Sequence, residues 1–362
     1  MNRLVESLRR TDWVLLGATV LLVAIGLAAL FSVTLNVEQP RIEKFYRQGI
    51  SFAIGLIVML VVMSIDYRFL RTYGWVIYAL GLTVLGGVLI VGTTLRGTTG
   101  WFSLFGSTFQ PVELMKVVLV IALARFFADH IDEVSSWKNI FRSGLITAIP
   151  AALVLRQPDL GSALILLAVW LGFLIFLGLP FRKLGLILLG FVVVAGMSWF
   201  VLKPYQRDRI LTFMDPARDP LRSGYNVRQS IVAVGSGQIF GRGLGLGTQS
   251  QLNFLPTQDT DFIFAVIAEE LGLVGVAVLL FLFVTFILRI VRPLADVRDA
   301  FGSLLLAGFG VLFSIEIILN LSGNIGLLPI TGTPLPFLSF GGSALISSML
   351  AVGIVLSVKQ RA

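Results

Sequence analysis

The sequence predicts an all-α polytopic membrane protein, a single domain over residues 1–362 with about ten transmembrane helices and one long extracytoplasmic loop, 203–261, between helices 7 and 8. Three observations predict it. Of the 362 residues, 56% are hydrophobic and only 13% charged, far from the balance of a soluble domain. The apolar residues fall in long runs divided by short polar stretches, as a hydrocarbon layer about 30 Å thick requires of spanning helices. The 28 Lys and Arg are spread among many loops instead of forming one patch, which fits anionic lipid head groups and not nucleic acid.

Taken in order, the first run, 13–35, follows Arg3, Arg9 and Arg10. It is too long for a signal-peptide core and lacks a small-residue cleavage site, so it is expected to remain as a helix. Runs 45–64, 72–94 and 110–128 follow, and the last opens Gln110-Pro111-Val112-Glu113, good helix-start chemistry. The fifth, 141–155, is shorter than the ~20 residues of a straight span and ends at Arg156-Gln157-Pro158, so it and the sixth, 160–178, are expected to form a tight re-entering pair. After 183–202 comes the long loop, in which Tyr225 to Val234 is mildly amphipathic and reads as a short surface helix. Runs 262–290, 300–322 and 338–358 complete the chain. No tandem repeat is visible, and the two halves do not read as inverted copies, which weighs against a transporter built from repeats.

Orientation follows the bias of basic residues in short loops. With the N-terminus inside, Arg3, Arg9, Arg10, Arg68, Arg71, Arg125, Lys138, Arg142, Arg182, Lys183, Arg289, Arg292, Arg298, Lys359 and Arg361 are cytoplasmic, so both termini are expected there. The chain has no cysteine and one histidine, His130, beside Asp129 and Asp132 in a cytoplasmic loop. Thiolate metal sites and disulfides are therefore absent, and carboxylates, Lys, Arg and backbone must carry any chemistry.

Asp261 precedes the apolar Phe262 to Ile267, at the outer end of the eighth run. It reads either as a helix cap or as a general base at the water–lipid boundary. Glu269 and Glu270 lie roughly 12 to 14 Å deeper at 1.5 Å per residue. They fall about 80° and 180° around the helix from Asp261, so both cannot share its pocket, and Glu270 is expected to meet a partner on another helix. Glu113 and Lys116, three apart, form a local ion pair or a site in which Lys116 meets a phosphate and Glu113 orients it or holds a metal. Asp159 caps the sixth run or joins that site, since Glu113, Lys116, Asp159 and Asp261 all begin helices on the outer side. Trp101 reads as an interfacial aromatic or a stacking platform for a sugar. Gly241-Arg242-Gly243-Leu244-Gly245-Leu246-Gly247 follows no parallel-sheet strand, which excludes a nucleotide loop and leaves flexible or tightly turned backbone near a substrate. Gly341-Gly342-Ser343 offers either helix N–H groups to an anion or close packing.

Several of these stretches, in this order, resemble one family. They are Gln110 to Lys116, Gln157-Pro158-Asp159-Leu160-Gly161-Ser162, Gly247 to Pro256, Thr260-Asp261-Phe262-Ile263-Phe264-Ala265 and Pro334 to Ser343. Together they are similar to the SEDS proteins (shape, elongation, division and sporulation), most closely the rod-shape branch, over nearly the whole chain. The resemblance implies a ten-helix peptidoglycan glycosyltransferase in the bacterial cytoplasmic membrane. It would polymerise lipid II on the outer face, acting on undecaprenyl-pyrophosphate-linked glycan, with a class B penicillin-binding protein as partner. The resemblance makes Asp261 the essential acid, expected here as general base of an inverting transfer, and marks Trp101, Glu113, Lys116 and Asp159 as site residues. Lys116, Arg47, Arg209 or a divalent cation (Mg or Mn) would meet the leaving pyrophosphate. Three departures stand out: Gly100 replaces an Arg before the Trp, Asp259 replaces a His and is expected to perturb Asp261 or bind a cation, and the Asn-Ile-Gly pattern is read at Asn320-Leu321-Ser322. The alternatives are a lipid II flippase or a membrane scaffold for the penicillin-binding protein. A flippase would continue its polar path inward, where Glu269, Glu270 and Glu316 are the deep exceptions.

Overall fold

The computed structural model describes residues 11–35, 42–95, 98–104, 107–198, 207, 211, 223–252, 254–255 and 257–361. In chain order these form α1 (Trp13–Leu35), α2 (Ile42–Ser64), α3 (Arg68–Val91), β1 (Thr93–Leu95), β2 (Thr98–Leu104), β3 (Ser107–Phe109), α4 (Pro111–Asp129), α5 (Trp137–Arg156), α6 (Leu160–Phe176) and α7 (Phe181–Ser198). The order continues with α8 (Ser223–Ser236), α9 (Thr248–Gln251), α10 (Ile263–Val291), α11 (Ala300–Asn324) and α12 (Gly342–Arg361). Seven of the described helices, α1, α2, α3, α5, α10, α11 and α12, are long and apolar enough to cross a membrane. The protein is thus a helical, multi-pass membrane protein. The runs read at 110–128, 160–178 and 183–202 fold as α4, α6 and α7.

Two local expectations are corrected. The fifth run begins at Trp137 and reaches 20 residues, a spanning length, so it needs no re-entrant turn with α6. Lys138 and Asn139 at its start hide that extension from a hydropathy reading. The stretch around Trp101 is not a loop: β1, β2 and β3 form an antiparallel sheet in that order, with Thr93 opposite Trp101 and Phe102 opposite Phe109. Threonines and aromatics suit paired strands, and pairing satisfies backbone groups that the membrane edge would otherwise strand.

The core is organised around α4. From Val112 to Phe127 only Leu114 and Arg125 escape full burial, with α3, α5, α6, α11 and α12 packed around them. Hydrocarbon gives helices no hydrophobic drive to associate, so close van der Waals approach does that work. Along the α2–α12 contact, a Cβ on Gly353 would sit 2.8 Å from Met59 O and one on Gly55 2.9 Å from Met349 Cγ.

α10 is broken at Gly272, whose φ of 65° and ψ of −164° leave the helical region. The segment Gln238–Gly243, after α8, supplies the bonds lost there. Arg242 N donates to Glu269 O (3.0 Å) and Gly243 N to Glu270 O (2.9 Å), while Leu273 N donates to Gln238 O (2.9 Å) and Val274 N to Ile239 O (3.1 Å). The glycine-rich stretch is therefore tightly turned, as one reading had it, but it serves as backbone patching for α10. α8 packs on α10 and α11, with Val227, Ser230 and Ala233 buried.

Gly353→Ala is expected to destabilise the protein by about 1–3 kcal/mol through overpacking. Gly49→Ala, on the same α2 with nothing within 4 Å of its Cβ position, should leave the midpoint unchanged. Thermal unfolding of the two variants in detergent checks the contrast.

Candidate functional site

Asp261 is the last residue of a tight turn in which Thr260 N and Asp261 N both donate to Thr257 O, at 3.0 and 3.2 Å. Phe262, not Asp261, occupies the cap position of α10. Two other parts of the chain, the Ser339-Phe340 segment and α11, hold the turn by its carbonyls. Phe340 N donates to Asp259 O (2.8 Å), and Ser339 Oγ to Thr260 O (2.6 Å). Asn324 Nδ2 and Asn320 Nδ2 both donate to Asp261 O (2.9 and 3.3 Å). Asn320 also donates to Thr333 O (2.9 Å), and Asp261 Oδ2 lies 3.9 Å from the Cβ position of Gly332. The carboxylate itself is half-buried.

The Asp259 carboxylate pairs with the Lys44 ammonium of α2. This corrects the expectation that it perturbs Asp261 or captures a cation, because Lys44 already balances its charge.

Beneath this turn, Lys116 is 2% exposed and sits between two carboxylates, Glu316 Oε1 at 2.5 Å and Glu113 Oε2 at 2.8 Å. The local ion pair is present and a third member, from α11, joins it. Lys116 is thereby committed to protein carboxylates instead of facing a phosphate. Glu316 and Asn320 are one turn apart on α11, so the same helix face that anchors Lys116 also holds the Asp261 carbonyl.

Asp159 caps α6, accepting from Ser162 N (2.9 Å) and Ser162 Oγ (2.7 Å), with Gln110 Nε2 at 3.5 Å. Gly161, next in the same turn, lies under Thr331: a Cβ there would stand 2.4 Å from Thr331 O. Asp159 and Asp261 thus flank one segment, 331–333, from opposite sides of the sequence.

Next to the Asp261 turn is a cavity of about 630 Å³ whose lining includes Arg47, Trp101, Thr260, Phe340 and Ser343, with Ile50, Ile54, Ile346 and Leu350 as apolar walls. Arg47 is exposed and bonded to Glu43 Oε1 at 2.5 Å on its own helix. Ser343, in the first turn of α12, accepts from Gln110 N (3.0 Å). Gly341 N donates to Gln48 Oε1 (3.1 Å), and Gly342 presses on Ser51 Oγ, 2.7 Å from a Cβ position. The close-packing reading of this motif therefore holds, at the edge of the cavity. A second groove of about 350 Å³, almost wholly apolar, shares Leu114 and Leu350 with the first and runs along α2, α3 and α4. Arg209 lies outside the described residues.

Asn320, Asn324, Ser339 and Lys44 were not read as site residues from the sequence. One signal was there: the Asn-Ile-Gly tripeptide stands at Asn324-Ile325-Gly326, four residues beyond where it was read. Lys44 carries no such signal, being 215 residues from its partner. The deep glutamates are structural: Glu269 accepts from Gln249 N (2.8 Å) and Ser250 N (3.1 Å) of α9, and Glu270 from Ser32 Oγ of α1 (2.5 Å), the inter-helix partner expected of it. Among the described residues no group of three or more His, Asp or Glu gathers to hold a metal.

Lys116→Met would leave Glu113 and Glu316 buried with no counter-charge, an expected loss of about 3–5 kcal/mol. Thermal unfolding should show that loss largely recovered when Glu316→Gln is added.

Comparison with known proteins agrees with this geometry. The family model of the FtsW, RodA and SpoVE cell cycle proteins matches residues 12–362. The peptidoglycan glycosyltransferase MrdB of Escherichia coli (strain K12) is 35% identical over 354 residues, 97% of this chain and 95% of the relative. Stage V sporulation protein E of Bacillus subtilis (strain 168) is 33% identical over 357 residues, 96% and 97% of the two chains. Among solved structures, a chain of a peptidoglycan synthase complex that coordinates polymerization and crosslinking superposes with a TM-score of 0.83 at 32% identity, covering 97% of this chain and 98% of that one. The rod shape determining protein RodA of Thermus thermophilus follows at 0.72 and 28%, covering 96% of each. With the family model spanning all but the first eleven residues, this chain belongs to the SEDS family of FtsW, RodA and SpoVE proteins.

Proposed function

We propose that this protein is a peptidoglycan glycosyltransferase that polymerises lipid II into glycan strands on the outer face of the cytoplasmic membrane during cell elongation. The observation that carries the proposal is a half-buried residue, Asp261, in a turn whose carbonyls are held by two separate segments beside a cavity with both polar and apolar walls. The activity borne by the name of the E. coli relative supports it. The topology that goes with it has ten spans, counting α4, α6 and α7, with both termini in the cytoplasm and 203–261 outside.

In the transfer, the acceptor's 4-hydroxyl oxygen attacks the donor's anomeric carbon. The bond from that carbon to the pyrophosphate oxygen breaks, the configuration inverts, and Asp261 takes the hydroxyl proton. A base fixed by its backbone needs no search for its reactive geometry, which is where positioning lowers a barrier. The sugars lie in the larger cavity, with Trp101 as a stacking wall, while the prenyl chain follows the apolar groove past Leu114 and Leu350. Arg47, which lines that cavity, is the cation proposed to meet the pyrophosphate, and Arg209 is proposed from the sequence alone to join it. A divalent cation such as Mg or Mn, if carried in with the substrate, would neutralise the charge left on the leaving group. Lys116 and Glu113 act from below, by fixing α4 to α11. A class B penicillin-binding protein is the proposed transpeptidase partner, in line with the peptidoglycan synthase complex, one chain of which this one matches.

The deep carboxylates favour an enzyme over a flippase. Glu269, Glu270 and Glu316 are bound by α9, Ser32 and Lys116, so they do not continue a polar path inward.

Purified protein given lipid II alone should make polymer, and Asp261→Asn should reduce the rate by roughly 10²–10⁴-fold without loss of folding. Retained polymerisation in that variant would reject the base assignment. Asn320→Ala and Asn324→Ala loosen the carbonyl strap without touching the substrate, so kcat should fall about tenfold or more with KM nearly constant. A purely structural role would instead lower active fraction and leave kcat per folded molecule unchanged.

A further inference from the structure

α2 turns one stripe toward the rest of the bundle. Its buried residues are Gln48, Gly55, Met59 and Met63, and Lys44, half-buried, stands one turn above Gln48 on the same face. The middle of the stripe is fixed by close packing of Gly55 and Met59 on α12. Its outer end grips the chain beside the Asp261 turn. Gln48 Nε2 donates to Ser339 O (3.0 Å), and Gly341 N donates to Gln48 Oε1 (3.1 Å). Lys44 pairs with Asp259, and its ammonium lies 5.8 Å over the Phe340 ring. Phe340 N in turn donates to Asp259 O (2.8 Å), so Lys44, Asp259 and Phe340 close a ring of contacts between α2 and the turn.

That ring controls where a second cation sits. Arg47, three residues beyond Lys44, lines the cavity together with Phe340 and Thr260. It lies eight residues from Gly55, roughly 12 Å along the helix at 1.5 Å per residue. A tilt of α2 by about 10° around its packed middle would move Arg47 by roughly 2 Å relative to Asp261. Displacements of about 1 Å can cost on the order of 10²-fold in rate. The other outer contact of α2, Phe45 on Phe31 of α1 with ring centroids 5.4 Å apart, is apolar and without direction. The pair with Asp259 has a direction: its side chains are 28% and 7% exposed for Lys44 and Asp259, so the ammonium reaches inward from the rim to a carboxylate that is already sealed in.

We propose that Lys44 is a positioning residue: by pairing with Asp259 it clamps the outer end of α2 to the Asp261 turn and so fixes Arg47 relative to the Asp261 carboxylate. The effect on rate rests on the glycosyltransferase reading above; the clamp itself does not.

The chain has no cysteine, so two spin labels can be placed without background. Tyr46→Cys on α2 and Leu327→Cys just beyond α11, at positions 64% and 66% exposed, report the outer end of α2 against the helix whose Asn324 holds the Asp261 carbonyl. Pulsed electron–electron distance measurements on the purified full chain should give one narrow distribution. Lys44→Met with Asp259→Asn, which leaves no charge buried alone, should shift or broaden it by about 2 Å, the displacement expected from a tilt of about 10°. Lys44→Arg, which keeps the pair, should restore it. In unlabelled protein polymerising lipid II, the double variant should lose about tenfold or more in kcat with KM nearly constant, and Lys44→Arg should keep most of it. Asp259→Asn alone serves in both measurements where the double variant does not fold. A folded variant lacking the pair that keeps the wild-type distance distribution, or the wild-type kcat, overturns the inference. Should the wild type make no polymer, the glycosyltransferase reading fails, and the distances alone decide the clamp.

Discussion

The carbonyl oxygens of Asp259, Thr260 and Asp261 are each held from elsewhere in the chain, by Phe340 N, Ser339 Oγ and the amides of Asn320 and Asn324. This strap is the constraint on which the site depends. At a membrane surface the backbone of a turn has few water partners to spare, and a turn left unbonded would sample many geometries. Main-chain bonds fix where Asp261 starts from, and its Oδ2 lies 3.9 Å from the Cβ position of Gly332.

Charge obeys the same requirement of internal satisfaction. Lys116 answers Glu113 and Glu316, Lys44 answers Asp259, and the amides of α9 answer Glu269. The Lys116–Glu316 and Lys44–Asp259 pairings join elements 200 and 215 residues apart, so these polar contacts also carry the tertiary arrangement. Their net worth in stability is small, because desolvation offsets most of the attraction; what they set is register. Moving α11 by one turn would separate Glu316 from Lys116 and Asn320 from Asp261 together.

The break in α10 shows how far this goes. Gly272 interrupts the helix in a place where lipid would not tolerate open amides, and the 238–243 segment bonds to both sides of the interruption. A Cβ at Gly272 would approach Gly241 N to 2.2 Å, so the joint requires glycine. The segment that reaches it belongs to the long connection before α10, which links the position of that connection to the helix that follows the Asp261 turn.

Much was legible from the residue order alone. Apolar runs of spanning length show where helices must lie, since hydrocarbon permits no other exposed backbone, and Pro111 and Asp159 mark the starts of α4 and α6. The motif around Asp261 singled out the carboxylate that the proposed mechanism uses as its base. Pairings between segments far apart in sequence were not legible: Lys116 with Glu316 and Lys44 with Asp259, 200 and 215 residues apart, and the two α11 asparagines with Asp261, 59 and 63 apart. The sheet around Trp101 was hidden because its strands are only three to seven residues long, with too few alternations to register. Hydropathy and helix-start chemistry are local, so the sequence by itself determined which segments are helical and which charged residues stand at helix starts. Which charge meets which, and which carbonyl is held by which amide, depends on how helices stack, and only the tertiary structure decided it.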